Sequence, residues 1–128
     1  MAKKDWVSAV AIIEKPWGHE EHFALADGLY CGKVLFIREG HALSLQLHES
    51  KDETVAVQRG HIILDIGRDQ DMLESFDLLP GESVRITPTT VHRMTAVADS
   101  YVLEASTTQL DDVIRLADRY GRAAVSWV

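Results

Sequence analysis

The chain has 128 residues, of which 46% are hydrophobic and 26% charged, and its formal net charge is −7. That length suits one domain of roughly 100–200 residues, and the hydrophobic content excludes a disordered chain. The acidic balance repels phosphate backbones and anionic lipid, so neither nucleic acid nor membrane is expected as a partner.

The single cysteine, Cys31, excludes an intrachain disulfide and reads as a small buried hydrophobe. A lone thiol fits a reducing compartment. No apolar run approaches the ~20 residues of a membrane span, and the start, MAKKDWVSAV, lacks a signal-peptide core. The protein is therefore expected to be cytoplasmic.

In chain order, Pro16 and Trp17 are expected to fix an N-terminal strand by packing, and YCGKVLFI (30–37) is a short run of β-formers. Residues 42–48 (ALSLQLH) alternate, with Leu43, Leu45 and Leu47 on one face and Ser44, Gln46 and His48 on the other, which is the period of a strand. ETVAVQ (53–58) is a strand, Arg59-Gly60 a turn, HIILDIG (61–67) a strand and 68–77 a polar hairpin loop. Leu79 to Glu82 is a turn, SVRI (83–86) a strand, Thr87 to Thr90 a turn, and VHRMTAV (91–97) and SYVLEAS (100–106) are two further strands. Short strands separated by turn signals imply a β-sandwich or barrel. Over 109–119, Leu110, Val113, Ile114 and Ala117 fall at helical spacing and predict one amphipathic helix. The chain is thus read as one all-β domain, 1–128 with its core at about 13–122, ending in a short helix.

Three metal-donor residues, Gln46, His48 and Glu53, stand close together, the first two on one face of a strand and the third just past a short charged loop. His92 lies far along the chain at the start of another strand. Imidazoles with oxygen donors suit a borderline divalent cation. Singly, each residue reads more readily as a solvent-facing polar group than as a ligand; the pattern as a whole is what shifts that balance.

That pattern resembles the cupin superfamily. Gly40, five residues, Gln46-Leu47-His48, four residues, Glu53, six residues and Gly60 follow the spacing of the first cupin motif, with Gln in place of its first His. Gly81, five residues, Thr87-Pro88-Thr89, two residues and His92 follow the second, with Thr87 and Thr89 replacing its Pro and Gly. LSLQLH (43–48), KPWGHEE (15–21) and DDVIRLADRYGR (111–122) are similar to three motifs of type II mannose-6-phosphate isomerases.

The resemblance implies a single cupin, a double-stranded β-helix or jelly-roll barrel, holding one divalent metal ion. Zinc is the expected ion, on Gln46, His48, Glu53 and His92. It implies an aldose–ketose isomerase that takes mannose 6-phosphate to fructose 6-phosphate, with Arg122 important for activity, and a homodimer. The family's His-x-His-Arg is here His48-Glu49-Ser50-Lys51, so the pocket wall departs from the pattern while the ligands do not.

Lys33 shares the parity of Cys31 and Leu35, and an interior lysine is costly unless it is paired or faces a wet pocket. It is a candidate catalytic or sugar-phosphate contact, weighed against a lysine whose head reaches water. Lys51, Arg85 and Arg93 are candidate substrate-binding residues, weighed against ordinary surface charges. His41 and His61 are expected at turns and solvated. His19 and His22 in EKPWGHEEH are read as charged-stretch histidines rather than a second metal site, and Trp127 is expected to pack on the barrel or on a partner subunit. The competing functions are a non-catalytic sugar-binding or regulatory cupin and a metal-dependent oxygenase, the latter disfavoured because Gln46 replaces a histidine.

Overall fold

A computed structural model describes residues 1–123. Trp127, and with it the packing expected of that ring, lies outside them. A single 3-10 turn at Lys3–Asp5 precedes nine strands: β1 (Ala11–Lys15), β2 (Gly18–Ala26), β3 (Tyr30–Ile37), β4 (Leu45–Leu47), β5 (Glu53–Gly67), β6 (Glu74–Leu78), β7 (Ser83–Ile86), β8 (Val91–Ser106) and β9 (Ile114–Ala117). Every strand pairing is antiparallel.

The two longest strands, β5 and β8, lie along each other and change their outer neighbours halfway. Ser100–Ser106 of β8 pairs with β3 on its other edge, whereas His92 pairs with Gln46 of β4. β5 carries β7 along Glu53–Ala56 and β6 along Ile62–Ile66. Exchanging partners in this way curls the sheet around one interior.

The bend in β5 falls at Gly60, whose φ is 98° and where a Cβ would sit 2.3 Å from Ser100 Oγ. The register slips on both sides of it. Arg59-Gly60 is thus a bulge inside one continuous strand rather than the expected turn; a glycine marks either feature locally. Ser100, fully buried, pins the bulge: its Oγ accepts the His61 N–H at 3.0 Å and donates to the Ala98 carbonyl at 2.7 Å. The same region joins the two strands expected at 91–97 and 100–106 into one.

Two further expectations are corrected. The loop read at 68–77 is shorter, because Glu74–Leu78 forms β6 against Ile62–Ile66. Its polar residues face solvent and only Leu78 is buried. The helix expected at 109–119 is absent; Ile114–Ala117 is strand β9, paired with β4. The helical face does not pack as one surface, since Leu110 and Ala117 are exposed. An edge of β4 offers backbone partners that a short segment with two aspartates and β-branched Val113 and Ile114 takes up in preference to its own turns.

The core is built from Trp17, Leu35, Ile37, Val55, Val57, Ile62, Leu64, Ile86, Met94 and Val102, with Leu78 and Ala96 beside them. The expected packing role of Trp17 holds, and Cys31 is buried. Three strands then run out of this core along one face into charge. Ile37 and Leu35 lead to Lys33 on β3, Val57 and Val55 to Glu53 on β5, and Val102 to Glu104 on β8, and all three charged residues are buried. Among the described residues no helix is long and apolar enough to cross a membrane.

Candidate metal centre

β5, β8 and the residue that follows β4 bring three side chains together. Ring nitrogens of His48 and His92 and a carboxylate oxygen of Glu53 lie within 4.8 Å of one another, with the residues 4%, 1% and 3% exposed. Gln46 stands directly across from His92 in the β4–β8 register, and its Oε1 accepts the Ser44 hydroxyl at 2.6 Å.

The tautomers are set by the backbone. His48 Nδ1 lies 2.6 Å from the Asp112 carbonyl and His92 Nδ1 lies 3.0 Å from the Thr90 carbonyl. A carbonyl only accepts, so each Nδ1 carries a proton and each ring turns its Nε2 inward. Burial, the largest influence on it, pushes the His92 ring below its usual value despite the Glu53 charge, and this favours a neutral His92 with its Nε2 lone pair free.

These residues fit a metal ion. His48 Nε2 and His92 Nε2 are buried with no hydrogen-bond partner, and beside them Glu53 Oε2 meets the Lys51 ammonium at 3.0 Å. His48 Nε2 and Glu53 Oε2 are 3.2 Å apart, a spacing in a dry site that a shared proton or a cation held by both would satisfy. Ligand atoms each ~2.0–2.2 Å from one zinc ion are themselves roughly 3–3.6 Å apart, which accommodates that spacing.

A chain of buried charge adjoins the cluster. Lys51 Nζ is 3.0 Å from Glu53 Oε2 and 3.2 Å from Glu104 Oε2, and Lys33 Nζ is 3.4 Å from Glu20 Oε1. Burial would raise the Glu53 carboxyl, but the His48 ring, Lys51 and His92 together hold it at about 2. Burial opposes the Lys51 charge too, yet Glu104 and Glu53 outweigh it and push the ammonium above the lysine range. Glu104 goes the other way: burial and the Glu53 charge push its carboxyl up, and Lys51 and Lys33 offset only part.

A cavity of about 340 Å³ opens beside this cluster, with Gln46, His48, Lys33, Lys51, Glu104 and Arg122 on its wall. Of the expected site residues, the structure therefore brings together Gln46, His48, Glu53, His92, Lys33, Lys51 and Arg122. Arg122 is held in place by Asp118, which accepts its Nε at 3.0 Å and its Nη2 at 2.9 Å.

Arg85 and Arg93 are not brought to the cavity. Arg85 is two-thirds exposed and pairs with Asp52; Arg93 pairs with Asp65 at 3.0 Å. Each neighbours an inward residue on its strand, Ile86 and His92, and period-two alternation turns the next side chain outward. His61 lies within β5 against Asp77, not at a turn, and His41 Nδ1 meets the Tyr120 hydroxyl at 2.7 Å. His22 binds Glu20 at 2.7 Å and His19 binds Glu21 at 2.9 Å, and neither joins a second metal cluster among the described residues.

Glu20, Glu104 and Arg115 were missed from the sequence. Glu104 had a signal, since it is in phase with the buried Ser100 and Val102. Glu20 is held by His22 on its own strand and by Lys33 on the next, and Arg115 is placed by the distant β4–β9 pairing; neither left a signal.

No protein-family model matches the chain, and no curated protein sequence matches it. Solved structures do. CapF with the inhibitor 3-isopropenyl-tropolone aligns at a TM-score of 0.73 and 14% identity, over 92% of this chain and 37% of its own. Oxalate decarboxylase of Lactobacillus farciminis, in a formate complex, aligns at 0.70 and 17% identity, over 84% and 33%. KdgF from Halomonas sp. aligns at 0.65 and 18% identity, over 81% of this chain and 97% of its own. The chain thus spans about a third of the length of the first two and nearly all of the third.

Proposed function

Starting from the cupin fold that the chain shares with these structures, we propose that it is a metal-dependent sugar-phosphate isomerase resembling type II mannose-6-phosphate isomerases, with zinc held by Gln46, His48, Glu53 and His92. The observation that carries this is the buried convergence of His48, Glu53 and His92, with both imidazole Nε2 atoms unpartnered, beside a cavity. At about 340 Å³ the cavity is at the small end of ligand pockets, which suits one monosaccharide. A bound divalent ion supplies Lewis acidity for the carbonyl and hydroxyl oxygens of an open-chain sugar.

The chain's own residues supply the rest. Moving a proton between C1 and C2 through an enediol needs a group that both takes and returns it. Glu104, on the cavity wall with its carboxyl raised above the usual range, has the character required. Lys33 and Lys51 flank it and steady the carboxylate form that takes the proton and is restored when the proton is returned. Arg122, fixed by Asp118 and 5.7 Å over the Tyr120 ring, stands on the same wall for a sugar oxygen. A second copy of the chain is proposed to cover β1, an edge strand with Ile12 and Ile13 exposed.

The second interpretation, a sugar-binding cupin without turnover, draws on one feature: Lys33, Lys51 and Arg122 are all engaged by carboxylates. An assay with mannose 6-phosphate and added zinc separates the two. Formation of fructose 6-phosphate, abolished by Arg122→Ala and by His92→Ala, supports the isomerase. Sugar binding without turnover of any of several sugar phosphates supports the binding module, and oxygen uptake by iron-loaded protein would favour an oxygenase.

A further inference from the structure

We propose that Arg115 anchors an oxyanion, phosphate or carboxylate, on a ligand whose other end reaches the metal cluster. The proposal rests on the metal-centre assignment and names the ligand class for that site.

Five cationic side chains line the cavity: Lys15, Lys33, Lys51, Arg115 and Arg122. Four have carboxylate partners. Lys15 and Lys33 approach Glu20, Lys51 lies between Glu53 and Glu104, and Arg122 is bound by Asp118. Arg115 makes no ion pair among the described residues, and its Nε is buried with no hydrogen-bond partner. Asp112, three residues before it, is already occupied by the N–H groups of Glu49, Ser50 and Lys51.

Position adds to this. Gln46 is the register partner of Arg115 on β9 and of His92 on β8. Arg115 is therefore one strand beyond a metal-donor residue, with both on the cavity wall. Directly paired antiparallel residues have Cα atoms ~4.5–5.5 Å apart, so a guanidinium there is within one small molecule's length of the cluster. A buried guanidinium N–H without an acceptor is unfavourable, and the planar fork of arginine matches a carboxylate or phosphate. In a chain of net charge −7, an unpaired cation on a cavity wall supplies the local attraction that an anionic ligand needs.

The test is calorimetric titration of zinc-loaded wild type, Arg115→Gln and Arg115→Lys with mannose, mannose 6-phosphate and mannuronate, with metal content measured on each protein. Wild type is expected to bind an anionic sugar at least tenfold more tightly than mannose. Arg115→Gln should lose roughly ten- to hundredfold for that sugar with mannose unchanged, and Arg115→Lys should recover part of it. Whichever anionic sugar shows the Arg115-dependent gain identifies the oxyanion. Equal binding of neutral and anionic sugars by wild type, binding of neither anion, or a loss in Arg115→Gln that falls equally on mannose would overturn the proposal. An Arg115-dependent gain without fructose 6-phosphate formation keeps the anion site and removes the isomerase. Turnover without Arg115 dependence does the reverse.

Discussion

His48 gives its Nδ1 hydrogen to the backbone carbonyl of Asp112, 2.6 Å away. The same aspartate accepts, through its carboxylate, the N–H groups of Glu49, Ser50 and Lys51 at 2.9, 2.7 and 2.9 Å. One residue from the closing segment thus orients a metal-donor ring and holds the loop that leads to Glu53.

Replacing Asp112 with alanine leaves the carbonyl but frees that loop. Metal affinity should fall roughly 10–100-fold, the scale for residues that support ligands. The three N–H groups hold the Asp112 carboxyl below its usual range. Because the folded value lies below the unfolded one, its contribution is complete above about pH 4 and is lost as pH falls through the folded value. Acid titration of metal-free wild type and Asp112→Ala by circular dichroism should show that loss only in wild type.

Metal binding to the His48–Glu53–His92 cluster should stabilise the fold. At a free zinc concentration about 1,000 times the dissociation constant the gain is ~4 kcal/mol, which for a domain of this size raises Tm by roughly 10–20 °C. Scanning calorimetry with zinc and with a chelator measures it. His92→Ala and His48→Ala should abolish the difference, and elemental analysis should give one ion per chain for wild type only.

Thr89 has φ 68°, the one non-glycine residue in the left-handed region among those described, and its N–H donates to the His48 carbonyl at 2.6 Å. That conformation costs an L-residue ~1–2 kcal/mol, while glycine adds ~0.4–1 kcal/mol of unfolded-state entropy. Thr89→Gly should therefore be stabilising by about 0.5–1 kcal/mol, and Thr89→Val destabilising, in urea unfolding of the metal-free protein.

Lys51 is buried between two carboxylates. Lys51→Met leaves Glu53 and Glu104 facing each other and should destabilise the metal-free protein by ~3–5 kcal/mol. Adding Glu104→Gln removes one of the two charges, so the double variant should recover a large part of that loss. Additive effects in this cycle would mean that the ion pairs do not couple.

Much of the site was legible in the chain itself. Gln46 and His48 alternate with leucines on a strand, Lys33 keeps the phase of Cys31 and Leu35, and both groups face inward as that phase requires. Strand phase is a local property, written every second residue, so it survives without knowledge of neighbours. The motif spacings likewise placed Glu53 and His92 with the first pair.

What the chain could not state by itself was which edge would meet which. Residues 114–117 became a strand because β4 had an edge to fill, and Arg115 reached the cavity wall only through that pairing. Glu20 is retained by Lys33 from β3, and Glu104 is engaged by Lys51 across the interior. Arg85 and Arg93, close in sequence to the second motif, were turned outward by alternation within curved strands. Which donor residues share an inward phase follows from covalent spacing and the strand repeat. Partners for backbone edges and buried charges follow from contacts between residues far apart in sequence, and only the folded sheet selects those.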